Sequence, residues 1–162
     1  MEQQLPDPEQ VSEQDVAAVM AAVDNSFDNP EKIGARVIQP AQYVNDHNSY
    51  SPPDGTAKGG ELEARAPGVF LSINRKWSFD DTLLVPKWVE TIDITADSTL
   101  LDTRSQIRIV GGKLTLAQYR DIGDPSESIV ADSPTPAALE KASYLLNDIV
   151  MPELRKASPS QG

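Results

Sequence analysis

The chain has no cysteine and only one histidine, His47, among its 162 residues. These two residue types supply most protein nucleophiles, the proton shuttles that work near neutral pH and most transition-metal ligands. Their scarcity excludes thiol chemistry and cysteine-based zinc sites, and it leaves a Ser-His-Asp triad only if His47 belongs to one. His47 lies in a loop-like stretch rich in Asn, Ser, Pro and Gly, where a catalytic group lacks rigid support. We therefore expect His47 to be an incidental loop residue and the chain not to be an enzyme.

Basic residues are also scarce, with 14 Lys and Arg against 25 Asp and Glu and a formal net charge of -11. Lys and Arg contacts carry most of the affinity for nucleic acids and for anionic lipid surfaces, so we expect neither kind of partner. The charge is uneven: residues 1–68 hold 4 basic and 12 acidic residues, whereas residues 69–162 hold 10 and 13. A protein partner with a basic surface fits this balance better.

Long apolar runs are absent. The longest, Val16 to Val23, has eight residues, less than half of the ~20 that a membrane-spanning helix needs. The first residues are acidic where a secretory signal would be basic. We therefore expect synthesis in the cytoplasm without a signal peptide, and residence in a virion if the chain is a virion component.

A helix is predicted at about residues 13–24. Ser12 is placed to cap it, and the stripe of Val16, Val19, Met20 and Val23 follows helical spacing. Residues 25–68 contain five prolines and five glycines and predict an extended arm without compact elements. Within that arm, residues 35–38 could pair at a sheet edge.

Strands are predicted from residue 69 onward, at 69–74, 82–85 and 88–95, because apolar residues alternate or β-branched and aromatic residues accumulate there. Gly111-Gly112 predicts a two-residue hairpin turn that pairs Val110 with Lys113, Ile109 with Leu114 and Ile107 with Leu116. A helix beginning at Thr115 is the competing interpretation, and a short helix after the hairpin is also allowed.

A second helix is predicted after residue 133, with Thr135 or Ser133 as its cap and Pro136 or Pro134 in its first turn. Pro152 should kink or stop this helix. The fold class is then α+β: a small, mostly antiparallel sheet or partly open barrel with an N-terminal helix, a long extended Pro/Gly-rich arm and a C-terminal helix. The predicted segments are an acidic helix and arm at 1–68, a β-rich body at 69–155 and a frayed tail at 156–162.

No motif predicts a cofactor, a metal ion or a small-molecule substrate. The acidic groups Asp121/Asp124/Glu127, Asp80/Asp81 and Asp93/Asp97 lack the alternating ligands of a calcium loop, and their simplest interpretation is as solvated turn carboxylates. Neither Gly59-Gly60 nor Gly111-Gly112 belongs to a phosphate-binding fingerprint.

Four aromatic residues are the predicted partner contacts. Tyr43 and Tyr50 lie in the arm, where an apolar side chain needs a pocket elsewhere, and Trp77 and Trp88 each follow a lysine. Trp and Tyr are enriched in binding hot spots because they bury a large area while keeping a polar group. The competing interpretation places both tryptophans in the core of the sheet.

These observations favour a structural or assembly protein whose N-terminal arm orders on neighbouring subunits, such as a capsid-decoration, head–tail or tail protein of a phage. The analogy rests on architecture alone. Two alternatives remain: a small acidic inhibitor or immunity-type protein that caps a basic surface, and a hydrolase built on carboxylates.

Overall fold

The computed structural model describes residues 11–39, 42–44, 60–80, 84–85, 87–130 and 134–157. It has an α+β architecture in which helices cover one face of a single sheet. The strands are β1 Arg36–Gln39, β2 Gln42–Val44, β3 Gly60–Ala66, β4 Val69–Asp80, β5 Lys87–Ser98, β6 Thr103–Val110 and β7 Lys113–Asp121. The helices are α1 Glu13–Asp28, α2 Pro136–Tyr144 and α3 Met151–Ala157, and a π-helical segment, Leu145–Val150, joins α2 to α3.

The strand order is β1-β3-β4-β5-β6-β7, and all of these neighbours are antiparallel. β2 runs parallel to β4 and pairs with the part of β4 beyond the end of β3. In the described part of the chain β1 and β7 form the two edges, so the sheet does not close into a complete barrel.

The inner face of the sheet, which carries the core, follows from period-two alternation in the strands. One row of paired residues crosses five strands, and each member is at most 2% exposed: Leu62, Ile73, Ile94, Ile107 and Ala117. The helices contribute a second set of buried apolar side chains: Val16, Val19, Val23, Ala138, Leu139, Ala142, Leu145, Leu146, Val150, Met151 and Leu154. The opposite, outer face bears mostly polar side chains. The helical residues of the core cluster pack against the inner face.

The helix α1 begins as its sequence predicts. Ser12 is the N-cap, and its Oγ accepts a hydrogen bond from the Asp15 N–H at 3.1 Å. The helix continues to Asp28, four residues beyond the predicted end, because Ser26 is buried and extends the inward-facing stripe.

The C-terminal helix corrects the expectation for Pro152. Thr135 caps it by accepting from the Ala138 N–H at 3.1 Å, and Pro136 takes the first position. The chain stays helical through Pro152 to Ala157. In the π-helical segment the Met151 N–H donates to the Leu146 carbonyl five residues back. The change from this wider turn to the α-helical spacing occurs at Pro152, where a missing N–H is tolerated.

The Gly111-Gly112 hairpin is confirmed, and the competing helix from Thr115 is wrong. Both glycines have positive φ, 58° and 80°, which a two-residue turn of this kind requires. Val110 pairs with Lys113 and Ile109 with Leu114, but a bulge then shifts the register, so Ile107 pairs with Ala117 rather than Leu116.

Two further expectations are wrong. Gly60–Ala66 lies inside the predicted arm, yet it pairs along its whole length with β4 through a turn at Pro67 and Gly68. Leu84 and Val85, predicted as strand, form a bend between β4 and β5 and are 102% and 74% exposed. The edge pairing expected for 35–38 is confirmed in β1. Residues 40–41 and 45–59 of the arm, and residues 1–10 before α1, lie outside the described residues.

Candidate interaction site

The far end of the β4–β5 hairpin brings together most of the predicted contact residues. Both strands have 12 residues, and their last few pairs extend past the end of β3. Trp77 pairs with Glu90, and Trp88 precedes Glu90 by two positions in β5. Both indoles therefore lie on the inner side of the sheet. Each is half-buried, and neither belongs to the hydrophobic core cluster. We call Trp77, Trp88, Leu84 and Val85 the hairpin end.

The tryptophans therefore do not fit the simple core interpretation. The indole Nε1 of Trp77 is buried and has no hydrogen-bond partner among the described residues. A buried donor without an acceptor is costly to the folded state. At the bend, Leu84 and Val85 add exposed apolar surface next to the indoles.

Ion pairs mark the boundary between the core and the hairpin end. Arg75 Nε donates to Glu90 Oε2 at 2.7 Å, and Arg75 Nη1 donates to Asp24 Oδ1 of α1 at 2.5 Å. The Arg75 and Glu90 side chains are only 10% and 9% exposed, and Asp24 is 49% exposed. Burial lowers the pKa of Arg75, but the contacts with Glu90 and Asp24 outweigh it and leave the pKa above its ordinary value. These contacts tie α1 to the sheet.

The two tyrosines are placed unequally. Tyr43 is the central residue of β2 and lies opposite Trp77 in the parallel register, so its backbone adjoins the hairpin end. Tyr50 lies outside the described residues, as do His47 and Asp46. The structure thus brings three of the four predicted contact positions, Tyr43, Trp77 and Trp88, to one end of the sheet.

Of the acidic residues considered for cations, Asp93, Asp97, Asp121 and Asp124 accept hydrogen bonds from protein groups, while Asp81 lies outside the described residues. Asp97 accepts two hydrogen bonds from Arg104, at 2.7 and 3.1 Å, and Asp93 accepts one from Arg108 at 2.6 Å. Asp121 and Asp124 accept backbone hydrogen bonds within their own turn. Across residues 11–39, 60–80 and 87–130 and the other described segments, no cluster of three or more potential metal ligands occurs.

The outer face of the sheet carries a charge pattern that the sequence analysis missed. The basic residues at its register positions are Arg36, Arg65, Lys76, Lys87, Arg104, Arg108, Lys113 and Arg120, and the acidic ones are Glu61, Glu63, Asp80, Asp93 and Asp97. The rest of the chain then has 6 basic and 20 acidic residues. In the sequence, this charge pattern is indicated only by the alternation of Arg104, Gln106 and Arg108 in β6. The charges on each face can be added up only once the strand register is known.

One row on this face concentrates the positive charge. Arg65, Phe70, Asp97, Arg104 and Arg120 lie side by side across five strands. The Arg65 guanidinium lies 4.4 Å above the Phe70 ring, and Asp97 binds Arg104. Arg120 directly opposes Arg104, and in the described residues it has no ion-pair partner. We call these five residues the arginine row.

No helix in the described segments is long and apolar enough to cross a membrane. Comparison of the chain with protein-family models, with curated proteins and with solved structures finds no match. The hairpin end and the charges of the two sheet faces are the features of the described residues that bear on function.

Proposed function

We propose that this chain is a non-enzymatic structural or assembly protein whose acidic N-terminal arm orders on neighbouring subunits of a large particle, such as a phage virion. The observation that carries this proposal is the hairpin end. Trp77 and Trp88 are half-buried outside the core, beside a bend whose Leu84 is fully exposed. Aromatic side chains in such a place gain their full burial on a partner.

The arm supports the same function through its position. β2 belongs to the arm and pairs with β4 beside Trp77. The arm is therefore attached to its own subunit next to the hairpin end. Ordering a chain segment costs about 1–2 kcal/mol per residue. A neighbouring subunit that covers the hairpin end offers apolar area to offset this cost for the adjoining arm residues.

The inhibitor alternative keeps one supporting observation, because the chain outside the outer face is strongly acidic. An acidic surface accelerates association with a basic enzyme and makes that association sensitive to salt. The hairpin end favours the assembly function, since it presents apolar and aromatic groups where a charge-driven contact would present carboxylates.

The hairpin end can be tested with Leu84→Asp, which changes a side chain that is 102% exposed and therefore leaves folding intact. We expect the wild-type chain, recovered from its native source, to sediment with a large particle and the L84D chain to remain in the supernatant. Tyr144→Asp is the matched control, because Tyr144 is 55% exposed on the helix layer away from the hairpin end. Equal incorporation of L84D and wild type would contradict the role of the hairpin end.

Amide exchange tests the arm separately. In dilute isolated protein we expect residues 1–10 and 45–59 to exchange fast and β5 to exchange slowly. The same segments should become protected in the particle. Protection equal to that of β5 in the lone monomer would overturn the proposed function.

A further inference from the structure

The outer face of the sheet has a positive charge balance, although it belongs to an acidic chain. It has eight basic and five acidic positions, while the rest of the chain has six and 20. Such a separation of charge leaves each copy with two surfaces that attract one another when two copies meet.

The arginine row gives this face a specific point of contact. Like charges directly opposite on neighbouring strands are destabilising, and Arg104 and Arg120 are such a pair. Asp97 compensates Arg104 through two hydrogen bonds, and among the described residues no carboxylate pairs with Arg120. An incoming carboxylate beside Arg120, at the β7 end of the row, would supply that partner.

We propose that the outer face binds the acidic N-terminal segment, residues 1–10, of a second copy of this chain. This inference rests on the proposed function, because it states where on a neighbouring subunit the first part of the chain is ordered. The segment contains Glu2, Asp7 and Glu9 and no Lys or Arg. Its prolines at positions 6 and 8 lack an N–H group, so it suits contact through side chains on a sheet face better than strand addition at an edge.

The position of α1 sets where the acidic segment leaves each subunit. α1 packs on the inner side of the sheet, and Val11 and Glu13 line a groove beside the Gly111-Gly112 turn. The acidic segment therefore departs from one part of a subunit and binds a different part of another copy. Two copies can make this contact reciprocally in a closed dimer, or the contact can continue from copy to copy in a ring or filament.

Two variants test the outer face and the acidic segment separately. Arg120→Glu reverses the charge at the arginine row, and a deletion of residues 2–10 removes most of the acidic segment while keeping the Ser12 cap. Analytical ultracentrifugation should show concentration-dependent association of the wild type and about tenfold weaker association of each variant. Mixing the two variants should restore a 1:1 complex, because R120E supplies an intact segment and the deletion variant supplies an intact face.

Arg155→Glu is the matched control: it makes the same change in net charge on α3, at an exposed position away from the sheet. It should associate like the wild type. R120E also has a second readout, since the introduced carboxylate would pair with Arg104 across β6 and β7. We expect the monomer of R120E to unfold at a higher urea concentration than the wild type even as its association weakens.

Failure of this inference can be told apart from failure of the proposed function. A wild type that stays monomeric while residues 1–10 exchange fast would overturn the contact between copies and leave assembly on another partner intact. A monomer in which residues 1–10 are protected, and in which R120E removes that protection, would show binding within one chain and overturn both. Binding of a single-stranded oligonucleotide that R120E abolishes would overturn the choice of a second copy as occupant.

Discussion

The two faces of the sheet are built from the same seven strands but differ in the burial and charge of their side chains. On the inner face the members of the central row are at most 2% exposed, and Arg75 and Glu90 are charged residues that this face buries as an ion pair. On the outer face charged residues recur on every long strand, and Arg104 and Arg108 are about half exposed. The inner face therefore determines stability, and the outer face is free to determine binding.

The largest effect should come from a pair of neighbours on β5. Ile94→Ala removes a side chain that is 2% exposed, so we expect a loss of about 2–5 kcal/mol in the free energy of unfolding. Thr95→Ala changes the adjacent residue on the outer face and should stay within about 0.5 kcal/mol. Urea denaturation measures both. Similar losses for the two variants would show that the outer face is also packed.

The ion pairs offer the next comparison. Arg75→Leu leaves the carboxylate of Glu90 buried without its partner, and we expect a loss of about 3 kcal/mol. The double variant R75L/E90L should recover much of that loss, because it removes both charges. Arg108→Leu breaks an exposed pair with Asp93 and should cost about 0–1 kcal/mol. If R108L were as costly as R75L in urea denaturation, burial would not be the cause.

The bulge in β7 places two leucines on opposite faces. Leu114 packs against the core, whereas Leu116 pairs with Arg108 on the outer side. Leu114→Ala should lower the free energy of unfolding by about 1–2 kcal/mol, since half-burial gives a part of the full effect. Leu116 is also half-buried but lies outside the core cluster, so Leu116→Ala should lower the free energy of unfolding by less than Leu114→Ala does. Thermal unfolding of the two variants distinguishes them, and a reversed order would indicate a different register.

The smallest effect concerns pH. Burial raises the pKa of Tyr119 above its ordinary value of 10.0, and the hydrogen bond to Glu127 raises the pKa of Lys141 above 10.5. Both groups favour their protonated forms in the folded protein, so their stabilisation is complete below those ordinary values and is lost as the pH rises through the folded values. We expect a decline in the unfolding midpoint above about pH 10 that Tyr119→Phe reduces. A midpoint that rises over this interval would contradict the assignment.

The part of the fold that local signals specify was predictable from the sequence. Ser12 and Thr135 are caps because their side chains meet nearby N–H groups, and Gly111-Gly112 makes a turn because both positions need positive φ. The shift in pairing at Arg108 was not predictable, since a bulge leaves no distinct composition. β3 was missed because Gly60–Ala66 contains only one large apolar residue, Leu62, and gains its burial from distant parts of the chain.

The candidate sites divide in the same way. Trp77 and Trp88 stand out by residue type alone, but their position outside the core depends on how far β4 and β5 extend past β3. Arg75 reads as an ordinary surface residue in the sequence, and only the strand register turns it inward to Asp24 and Glu90. The arginine row joins residues from five strands, so no local pattern could reveal it.

The π-helical segment before Met151 has a consequence for how the C-terminal helix meets the sheet. A widened turn holds one residue more than an α-helical turn and thereby rotates everything after it by about 100° around the helix axis. Leu145 and Leu146 before that rotation, and Val150, Met151 and Leu154 at its end and after it, are all buried. The wider turn therefore accommodates one extra residue while both helical stretches keep their apolar sides against the sheet, and removal of a single residue between 145 and 150 should give a regular α-helix with Val150, Met151 and Leu154 still buried.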